Sequence, residues 1–339
     1  MKYWSAAGLM LTSWCNAACA SCYLYCSPSR DESMSVDFAL RLWRQLQEAC
    51  PHGCRIHLTG GEPFGNWQRL LELCTRAREE GLNPPQKVET NAFWATDANE
   101  VRSRVETLDG LGMGKLVIST DPFHQQFVPI ERCRLAARTA EKVIGRERVQ
   151  VRWRDWLASG FNTDALSEER RELLFATWAA DGRDRLNGRA AEALAPLVQL
   201  KPVEEFVDLR CNEALLRSKH VHVAPDGGVI PGTCAGIVLG RAEDESIDSI
   251  WRRLNADYRE RPIVGRLSAG GPALLLEDAR RMGFQPASGY ASKCHLCREV
   301  RQFLFDSGIG GDELSPEWFY QSRPETDRRG NADGLRNVQ

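Results

Sequence analysis

The sequence predicts an α/β protein in which parallel strands alternate with helices, followed by a smaller region that carries cysteines. Up to about Lys201, short apolar segments of strand length alternate with segments whose apolar residues have helical spacing. Strict alternation of strand and helix is typical of parallel βα units, and so of an open or closed βα barrel. Beyond that point the alternation stops and a hairpin signal appears, which indicates a second, smaller domain.

The predicted strands also show where a functional site is expected. Strand-like segments lie at Leu9–Trp14, Arg55–Thr59, Lys87–Thr90, Lys115–Thr120 and Arg148–Trp153, with a candidate sixth at Leu173–Trp178. Helices are predicted from a cap at Ser35 to about Cys50, and from about Trp67 to Glu80. Active sites of βα barrels lie at the C-terminal ends of the strands. The unusual residues that follow the predicted strands are Cys15, Gly60, Asn91 and Asp121.

The later part of the chain is predicted to begin with a β-hairpin. His220–Ala224 and Val229–Ile230 flank Pro225-Asp226-Gly227-Gly228, a strong turn signal. We therefore expect a barrel at residues 1–205, a small α+β domain at 206–305, and a C-terminal segment at 306–339. The last segment is expected to be partly flexible from about Ser322.

Composition excludes several classes of protein. With 339 residues, 42% hydrophobic and 27% charged, the chain is large enough for about two domains and is not intrinsically disordered. A net charge of −2 argues against a general nucleic-acid binder or a polybasic membrane-surface protein. No apolar run approaches the roughly 20 residues of a membrane span, and no secretory signal is recognisable. We expect a cytoplasmic protein.

Cysteine is the informative residue type, with twelve in the chain. Cys15, Cys19 and Cys22 lie together in a loop after the first predicted strand. Three thiolates at this spacing can hold three irons of a [4Fe–4S] cluster and leave the fourth iron without a protein ligand. A zinc site is the alternative, although zinc in structural sites prefers four protein ligands.

A second motif follows the second predicted strand, at Gly60-Gly61-Glu62-Pro63. Together with the cysteine triplet, it resembles the radical S-adenosylmethionine (SAM) superfamily. The resemblance extends to the ends of the third and fourth strands and to a later segment. These matching segments are Glu89-Thr90-Asn91, Ser119-Thr120-Asp121-Pro122-Phe123-His124 and Asn187-Gly188-Arg189-Ala190.

The resemblance implies a partial (β/α)6 barrel and a set of site residues. Cys15, Cys19 and Cys22 would bind the cluster, and the open iron would chelate the amino and carboxylate groups of SAM. Cleavage of SAM would need an electron donor such as flavodoxin or ferredoxin. The residues implied to hold the methionine end of SAM are Gly60, Gly61 and Glu62, and those implied to lie near SAM or the substrate are Asn91, Ser119 and Asp121. Many members have an aromatic residue at Ser21, so contacts to the adenine differ here.

Four further cysteines fall in the second predicted domain. Cys211, Cys234, Cys294 and Cys297 suit a fully ligated second [4Fe–4S] cluster, and they would equally suit zinc. Their layout resembles the auxiliary-cluster domain called twitch, and too few cysteines remain for the longer SPASM domain. His295 is interpreted as a bystander, and His220 and His222 as packing residues.

Cys26 and the Ser119–His124 segment resemble radical SAM enzymes that epimerise ribosomally made peptides. Those enzymes return hydrogen from a cysteine next to the auxiliary ligand after the hairpin, but here Cys234 stands alone. Either the donor is missing, which favours oxidation or crosslinking, or another thiol such as Cys26 serves. Asp121 and His124 are the other candidate catalytic residues.

Two classes of function remain open from the sequence. One is modification of a ribosomally synthesised peptide, and the other is dehydrogenation or epimerisation of a small molecule in natural-product biosynthesis. Because Cys15 lies so near the start, we expect no leader-recognition domain before it. A peptide would then bind the barrel mouth directly or be delivered by a separate protein.

Overall fold

A computed structural model of the chain describes Met1 and residues 3–50 and 53–321. These residues form a seven-stranded sheet in the order β5-β4-β3-β2-β1-β6-β7. The strands are β1 (Ala6–Met10), β2 (Arg55–Thr59), β3 (Lys87–Thr90), β4 (Lys115–Ile118), β5 (Val149–Val151), β6 (His220–Val223) and β7 (Val229–Pro231). The predicted tail from Ser322 lies outside the described residues.

Helices connect the strands and continue beyond the sheet. The longer helices are α1 (Val36–Ala49), α2 (Trp67–Glu79), α3 (Ala98–Gly110), α4 (Ile130–Ile144), α6 (Glu168–Ala180), α9 (Ile247–Asp257), α11 (Pro272–Arg281) and α12 (Lys293–Asp306). The shorter ones are α5 (Arg154–Ser159), α7 (Arg189–Leu194), α8 (Asn212–Leu215), α10 (Val264–Gly270) and α13 (Glu317–Gln321). Among the described residues, none of the helices combines the length and the apolar character that crossing a bilayer requires.

The sheet is parallel except at one edge. Strands β1 to β5 pair in parallel, β6 pairs in parallel with the other side of β1, and β7 returns antiparallel to β6. All five residues of β1 are buried, as expected for an interior strand of a parallel sheet covered on both faces. The predicted mixed α/β fold with a parallel sheet is thus confirmed.

The predicted helix starts agree with the local chemistry. The Ser35 hydroxyl accepts a hydrogen bond from the Phe38 amide at 3.2 Å, and α1 buries an apolar stripe that includes Leu42, Trp43 and Leu46. Helix α2 begins at Trp67, as predicted, after the Asn66 side chain accepts from the Arg69 amide. Side-chain caps therefore fix where these two helices begin against the sheet.

The candidate sixth strand at Leu173–Trp178 was wrong, because this segment lies within α6. The Ser167 hydroxyl caps the helix, acidic residues fill its first turn, and Leu173 is 70% exposed. The predicted segment Leu9–Trp14 also has wrong bounds, since β1 is Ala6–Met10. Strands β4 and β5 likewise end two residues before their predicted ends.

The hairpin of β6 and β7 completes the sheet beside β1. His220–Val223 lie in register with Ala6–Leu9, so residues from the later part of the chain face the same space as the N-terminal strands. A division into domains at residue 205 stays a prediction, and the sheet itself is continuous across it.

Leu9 and Leu173 differ in burial, and this difference provides a test of the fold. We expect Leu9→Ala to lower the free energy of unfolding by about 2–5 kcal/mol, because Leu9 is fully buried in β1, an interior strand. Leu173→Ala is the matched control and should change it by no more than about 0.5 kcal/mol. Denaturant midpoints of both variants measure the difference. Equal losses would contradict the placement of Leu173 on an exposed helix face.

Candidate active site

A cavity of about 320 Å³ opens at the C-terminal ends of the parallel strands. Cavities of this size are within the range of small-molecule sites, roughly 300–1,000 Å³. Most of the residues singled out in the sequence line it. These are Cys15, Cys19, Cys22, Cys26, Gly60, Gly61, Asn91, Ser119, Asp121 and His124.

The loop after β1 carries the three clustered cysteines. Cys15 and Cys19 are buried and Cys22 is half-buried, and all three face the cavity. The Asn91 side-chain amide, at the end of β3, lies 3.6 Å from the Cys15 sulfur and donates to Asn16 Oδ1 at 2.8 Å. The first cysteine is therefore positioned by a neighbouring strand end as well as by its own loop.

Arg189 holds the same loop from the other side. Its backbone amide donates to the Cys22 carbonyl, and its guanidinium donates to the carbonyls of Cys19 and Cys26 at 3.0 and 2.9 Å. Gly188 has a φ of +57°, and a Cβ there would lie 2.4 Å from the Tyr23 carbonyl oxygen. The Asn187–Ala190 segment thus shapes the cysteine loop and places a positive charge beside it.

Two glycines allow a close backbone contact between the loops after β1 and β2. The Gly61 amide donates to the Thr12 carbonyl at 2.7 Å, and the Glu62 amide donates to the Trp14 carbonyl at 2.9 Å. A Cβ on Gly61 would lie only 2.0 Å from the Trp14 carbonyl oxygen. Gly60 has a φ of +129°, and a Cβ there would lie 2.5 Å from the Thr12 carbonyl oxygen.

Glu62 does not line the cavity. It is fully buried, and its carboxylate accepts hydrogen bonds from the Phe64 amide, the Thr90 hydroxyl and the Asn91 amide at 3.1, 2.8 and 2.7 Å. Burial raises the pKa of Glu62 to about 7, although these bonds favour its charged form. Glu62 ties the ends of β2 and β3 together, so its predicted contact with SAM stays a prediction.

Asp121 and His124 form a pair after β4. One carboxylate oxygen of Asp121 accepts from the amides of Phe123 and His124, and the other lies 2.7 Å from His124 Nδ1. Burial works against both charges, but their attraction prevails: it lowers the pKa of Asp121 and raises that of His124. The Asp121 carboxylate therefore favours the protonated form of His124, which lines the cavity.

The thiols differ in their environment. Burial, and then the nearby Glu62 carboxylate, raise the pKa of Cys15 to about 12. A hydrogen bond from Cys26 lowers the pKa of Cys22 and raises that of Cys26 itself. The Arg189 charge favours the thiolate at each of these cysteines. Cys15 and Cys19 must therefore lose their protons when a metal or cluster binds.

The sequence reasoning missed several charged residues of this cavity. Arg152 follows β5 directly and donates to Glu89 Oε2 at 3.3 Å, so the strand-end rule could have found it. The predicted strand reached Trp153 and therefore included Arg152 among strand residues. Asp184 lies between α6 and α7, where no sequence signal marked it. Burial, then repulsion from Asp121, raise the pKa of Asp184 to about 6.

The second set of cysteines also converges. Cys211, Cys234, Cys294 and Cys297 line one pocket of the later region, together with the cations Arg185, Lys293 and Arg301. Burial and neighbouring thiols raise the pKa of Cys211 to about 12 and that of Cys234 to about 11. Four thiolates with a metal or cluster would carry net negative charge, which these cations would offset.

Asn187 contacts the region of the second set of cysteines. Its side-chain amide donates to the Ala235 carbonyl at 3.2 Å, and its oxygen accepts from buried Arg301 at 3.0 Å. Arg301 comes from α12, the helix that carries Cys294 and Cys297. One short segment, residues 187–189, thus contacts both cysteine regions.

Residues 7–136 match a family model described as a 4Fe-4S single cluster domain. This range contains the cysteine triplet, and the Gly60–Pro63 motif lies against it at the end of the sheet. Residues of the cysteine loop and of the segments after β2, β3 and β4 thus meet at one cavity, whereas the cysteines of the second set line a neighbouring pocket.

One curated relative and several solved structures are similar to this chain. The "putative peptide biosynthesis protein YydG" of Bacillus subtilis is 29% identical over 129 residues, which are 37% of this chain. The match spans only 39% of that relative's length.

The similar solved structures have low sequence identity. BtrN, solved with AdoMet and 2-DOIA, is 18% identical with a TM-score of 0.46, over 80% of this chain and 89% of BtrN. SuiB of Streptococcus suis, bound to S-adenosylmethionine, is 12% identical with a TM-score of 0.40, over 81% and 74% of the two chains. The peptide-bound anSMEcpe is 14% identical with a TM-score of 0.43, over 89% and 97%.

The contact between Gly61 and Trp14 can be tested against a glycine with free space. Gly61→Ala should lower the free energy of unfolding by about 1–3 kcal/mol or more, because its methyl group would collide with a backbone carbonyl. Gly110→Ala is the control, since a Cβ there meets nothing within 4 Å. Denaturant midpoints measure both, and a stable Gly61→Ala variant would contradict the close approach.

The pairing of Asp121 and His124 predicts a pH dependence of stability. A lowered Asp pKa stabilises the fold above about pH 3.9, and a raised His pKa stabilises it below about pH 6.5. Asp121→Asn keeps an oxygen for the two amides but removes the charge. The stability lost in this variant should be largest between these pH values and should shrink as pH rises further. Melting temperatures of both proteins from pH 5 to 9 check this, and a pH-independent difference would contradict it.

Proposed function

We propose that this chain is a radical SAM enzyme that modifies a ribosomally synthesised peptide. The observation that carries the proposal is the convergence, at one strand-end cavity, of three cysteines, a glycine backbone loop and polar groups suited to bind a substrate. Similarity to a relative named for peptide biosynthesis supports a peptide as the substrate. Because the match covers only part of that relative, both activity and substrate are inferences for this chain.

Cys15, Cys19 and Cys22 would hold a [4Fe–4S] cluster. Their sulfurs face one cavity, and Arg189 supplies a charge that favours the thiolate form. Three protein ligands leave room for SAM at the fourth iron. This fits a cavity that continues past the cysteines to the ends of β2, β3 and β4.

The strand-end residues would bind and orient SAM. Gly60 and Gly61 leave backbone exposed along the cavity wall, and Asn91 and Ser119 add polar groups from the next two strand ends. Glu62 keeps these loops in place through Thr90 and Asn91. When bound, cluster and SAM would supply a 5′-deoxyadenosyl radical, after one-electron reduction by a flavodoxin or ferredoxin, to remove a hydrogen atom from the substrate.

Asp121, His124 and Cys26 are the residues proposed to act on the substrate. The imidazolium of His124, held by Asp121, can bind a carbonyl or carboxylate of the substrate through its free nitrogen. The Cys26 thiol lines the same cavity and keeps its proton, so it can donate a hydrogen atom. Donation of a hydrogen atom from Cys26 would give epimerisation and leave a thiyl radical, which an electron and a proton would return to the thiol. Without donation, the substrate radical would have to lose a proton and pass one electron to an acceptor such as the proposed auxiliary cluster, which would give oxidation or a crosslink.

The second set of cysteines is proposed to hold an auxiliary [4Fe–4S] cluster in a twitch-like arrangement. Four thiols and three cations share one pocket, which suits a fully ligated and negatively charged group. Zinc would satisfy the same four thiolates, so iron content must decide. Asn187 and Arg301 join this region to the segment that holds the first cysteine loop. We therefore expect the auxiliary cluster either to exchange electrons with the first cluster or to stabilise the two regions against each other.

Iron content and SAM cleavage test the two cysteine sets separately. In anaerobically reconstituted protein, replacing Cys15, Cys19 and Cys22 by Ala should remove about four irons and abolish 5′-deoxyadenosine formation with dithionite. Cys294→Ala/Cys297→Ala should also lose about four irons, but by loss of the other cluster. Cys74→Ala, a buried thiol in α2, is the control and should keep all the iron. Wild-type protein without iron or deoxyadenosine would overturn the proposal.

The reaction outcome can be measured on peptides encoded beside the gene. In D2O, epimerisation should introduce deuterium at an α-carbon, because a thiol proton exchanges with solvent, and Cys26→Ala should stop the uptake. Oxidation or a crosslink would instead lower the peptide mass by a pair of hydrogen atoms. SAM cleavage without any change in such peptides would favour a small-molecule substrate.

A further inference from the structure

Three histidines from two strands meet on one face of the sheet, and none of them lines either cysteine pocket. They are His57 on β2 and His220 and His222 on β6, and one ring nitrogen of each lies within 4.8 Å of those of the others. His57 and His222 occupy the same register on either side of β1, opposite Gly8. The two imidazoles therefore approach each other over β1.

Gly8 makes this approach feasible. A Cβ at this position would lie 2.3 Å from His222 Cδ2 and 2.5 Å from His57 Nε2. Any side chain on Gly8 would thus occupy the space in which the two rings meet. On this face of the three strands, the imidazoles therefore occupy the space that a side chain of β1 would otherwise take.

The hydrogen bond between His222 Nδ1 and Gly232 determines which nitrogen of this ring can bind a metal. Its Nδ1 lies 2.5 Å from the Gly232 carbonyl oxygen, which can only accept, so Nδ1 carries the proton. Its Nε2 therefore has a lone pair. Metal-bound histidines commonly donate their other ring N–H to a backbone carbonyl in this way, which fixes the tautomer and the ring orientation.

The distance between the two rings matches a metal site. His57 Nε2 lies 3.3 Å from His222 Nε2. Two nitrogens bound tetrahedrally to zinc at about 2.0–2.1 Å are about 3.3–3.4 Å apart. Without a metal, His57 must donate a proton to His222 at this distance, and with one both lone pairs can point to the ion.

His220 supplies a third nitrogen that the described residues leave unsatisfied. Its Nε2 is buried and has no hydrogen-bond partner within the described part of the chain. The His220 ring stacks on the His57 ring with 4.9 Å between the ring centroids, and it meets the His222 ring edge-on with 4.5 Å between the centroids. Burying a polar atom without a partner costs free energy, and an ion shared with the other two rings would provide that partner.

The charge state of the rings is also suitable. Burial, and then mutual repulsion, lower the pKa of His57 to about 2 and that of His220 to about 3, so the rings are neutral ligands at pH 7. The charged neighbours are Lys87, Glu89, Arg55 and Arg152. Lys87 and Glu89 pair at 3.0 Å, which compensates much of the nearby positive charge.

We propose that His57, His220 and His222 bind one zinc ion, with a water molecule as the fourth ligand. Imidazole nitrogens suit zinc, and three protein ligands with one open position are a known zinc arrangement. The ion would fasten β2 to β6 across β1. Through the bond from His222 to Gly232, it would also fix the turn that leads to Cys234.

Zinc retention and X-ray absorption test this site in protein whose clusters have been reconstituted. Zinc is added alone, and weakly bound metal is removed by dialysis against a mild chelator. Wild-type protein should keep about one zinc in addition to its iron, with a nitrogen-only shell at about 2.0–2.1 Å and imidazole scattering. His57→Gln and His222→Gln should bind zinc more than about tenfold more weakly, since loss of outer-shell partners alone costs about 10–100-fold.

Gly8→Ala is the most specific variant, because it keeps all three histidines and fills only the space between them. It should lose the zinc, whereas Gly110→Ala should keep it. Absence of retained zinc in the wild type, or a shell that contains sulfur, would overturn the proposal. If a variant fails to fold, the coordination shell of the wild-type protein decides the question on its own.

Discussion

The backbone contact between the loops after β1 and β2 is the constraint on which the candidate active site depends. Gly61 and Glu62 donate to the carbonyls of Thr12 and Trp14, which fixes the cysteine loop against the end of β2. The Glu62 carboxylate in turn accepts hydrogen bonds from Thr90 and Asn91, which fixes the end of β3 against the same loop. Asn91 also contacts Asn16 and the Cys15 sulfur, so the end of β3 is connected back to the cysteine loop. The glycines are thus required by the packing of the loops, whatever else they bind.

The parts of this site that the sequence predicted are those that local chemistry determines. Strand β2, the start of α2 and the cysteine loop follow from apolar alternation, side-chain caps and residue spacing. The sixth strand could not be placed in this way. Leu173–Trp178 is apolar enough for a strand, but it lies in a helix that Ser167 caps. The strand that pairs with the free side of β1 is instead β6.

Residues that act across long sequence separations gave no such signal. Arg189 contacts the carbonyls of Cys19 and Cys26, and Asn187 contacts the loop after β7 and Arg301 of α12. Nothing local to the 187–189 segment shows these partners, because they depend on how α7 packs between the two cysteine regions. The same holds for Asp184, whose raised pKa results from burial and from Asp121, a residue of another strand end.

The histidines show how register decides between packing and ligand geometry. His57 and His222 are 165 residues apart, and only the alignment of β2, β1 and β6 places them opposite Gly8. Burying polar rings costs free energy that an apolar residue would not. A core selected for packing alone would therefore place apolar side chains here and a larger residue than glycine at position 8. Facing nitrogens, a fixed tautomer and an empty Cβ position are instead what a shared ligand requires, and the proposed ion would offset the cost of burying three imidazoles.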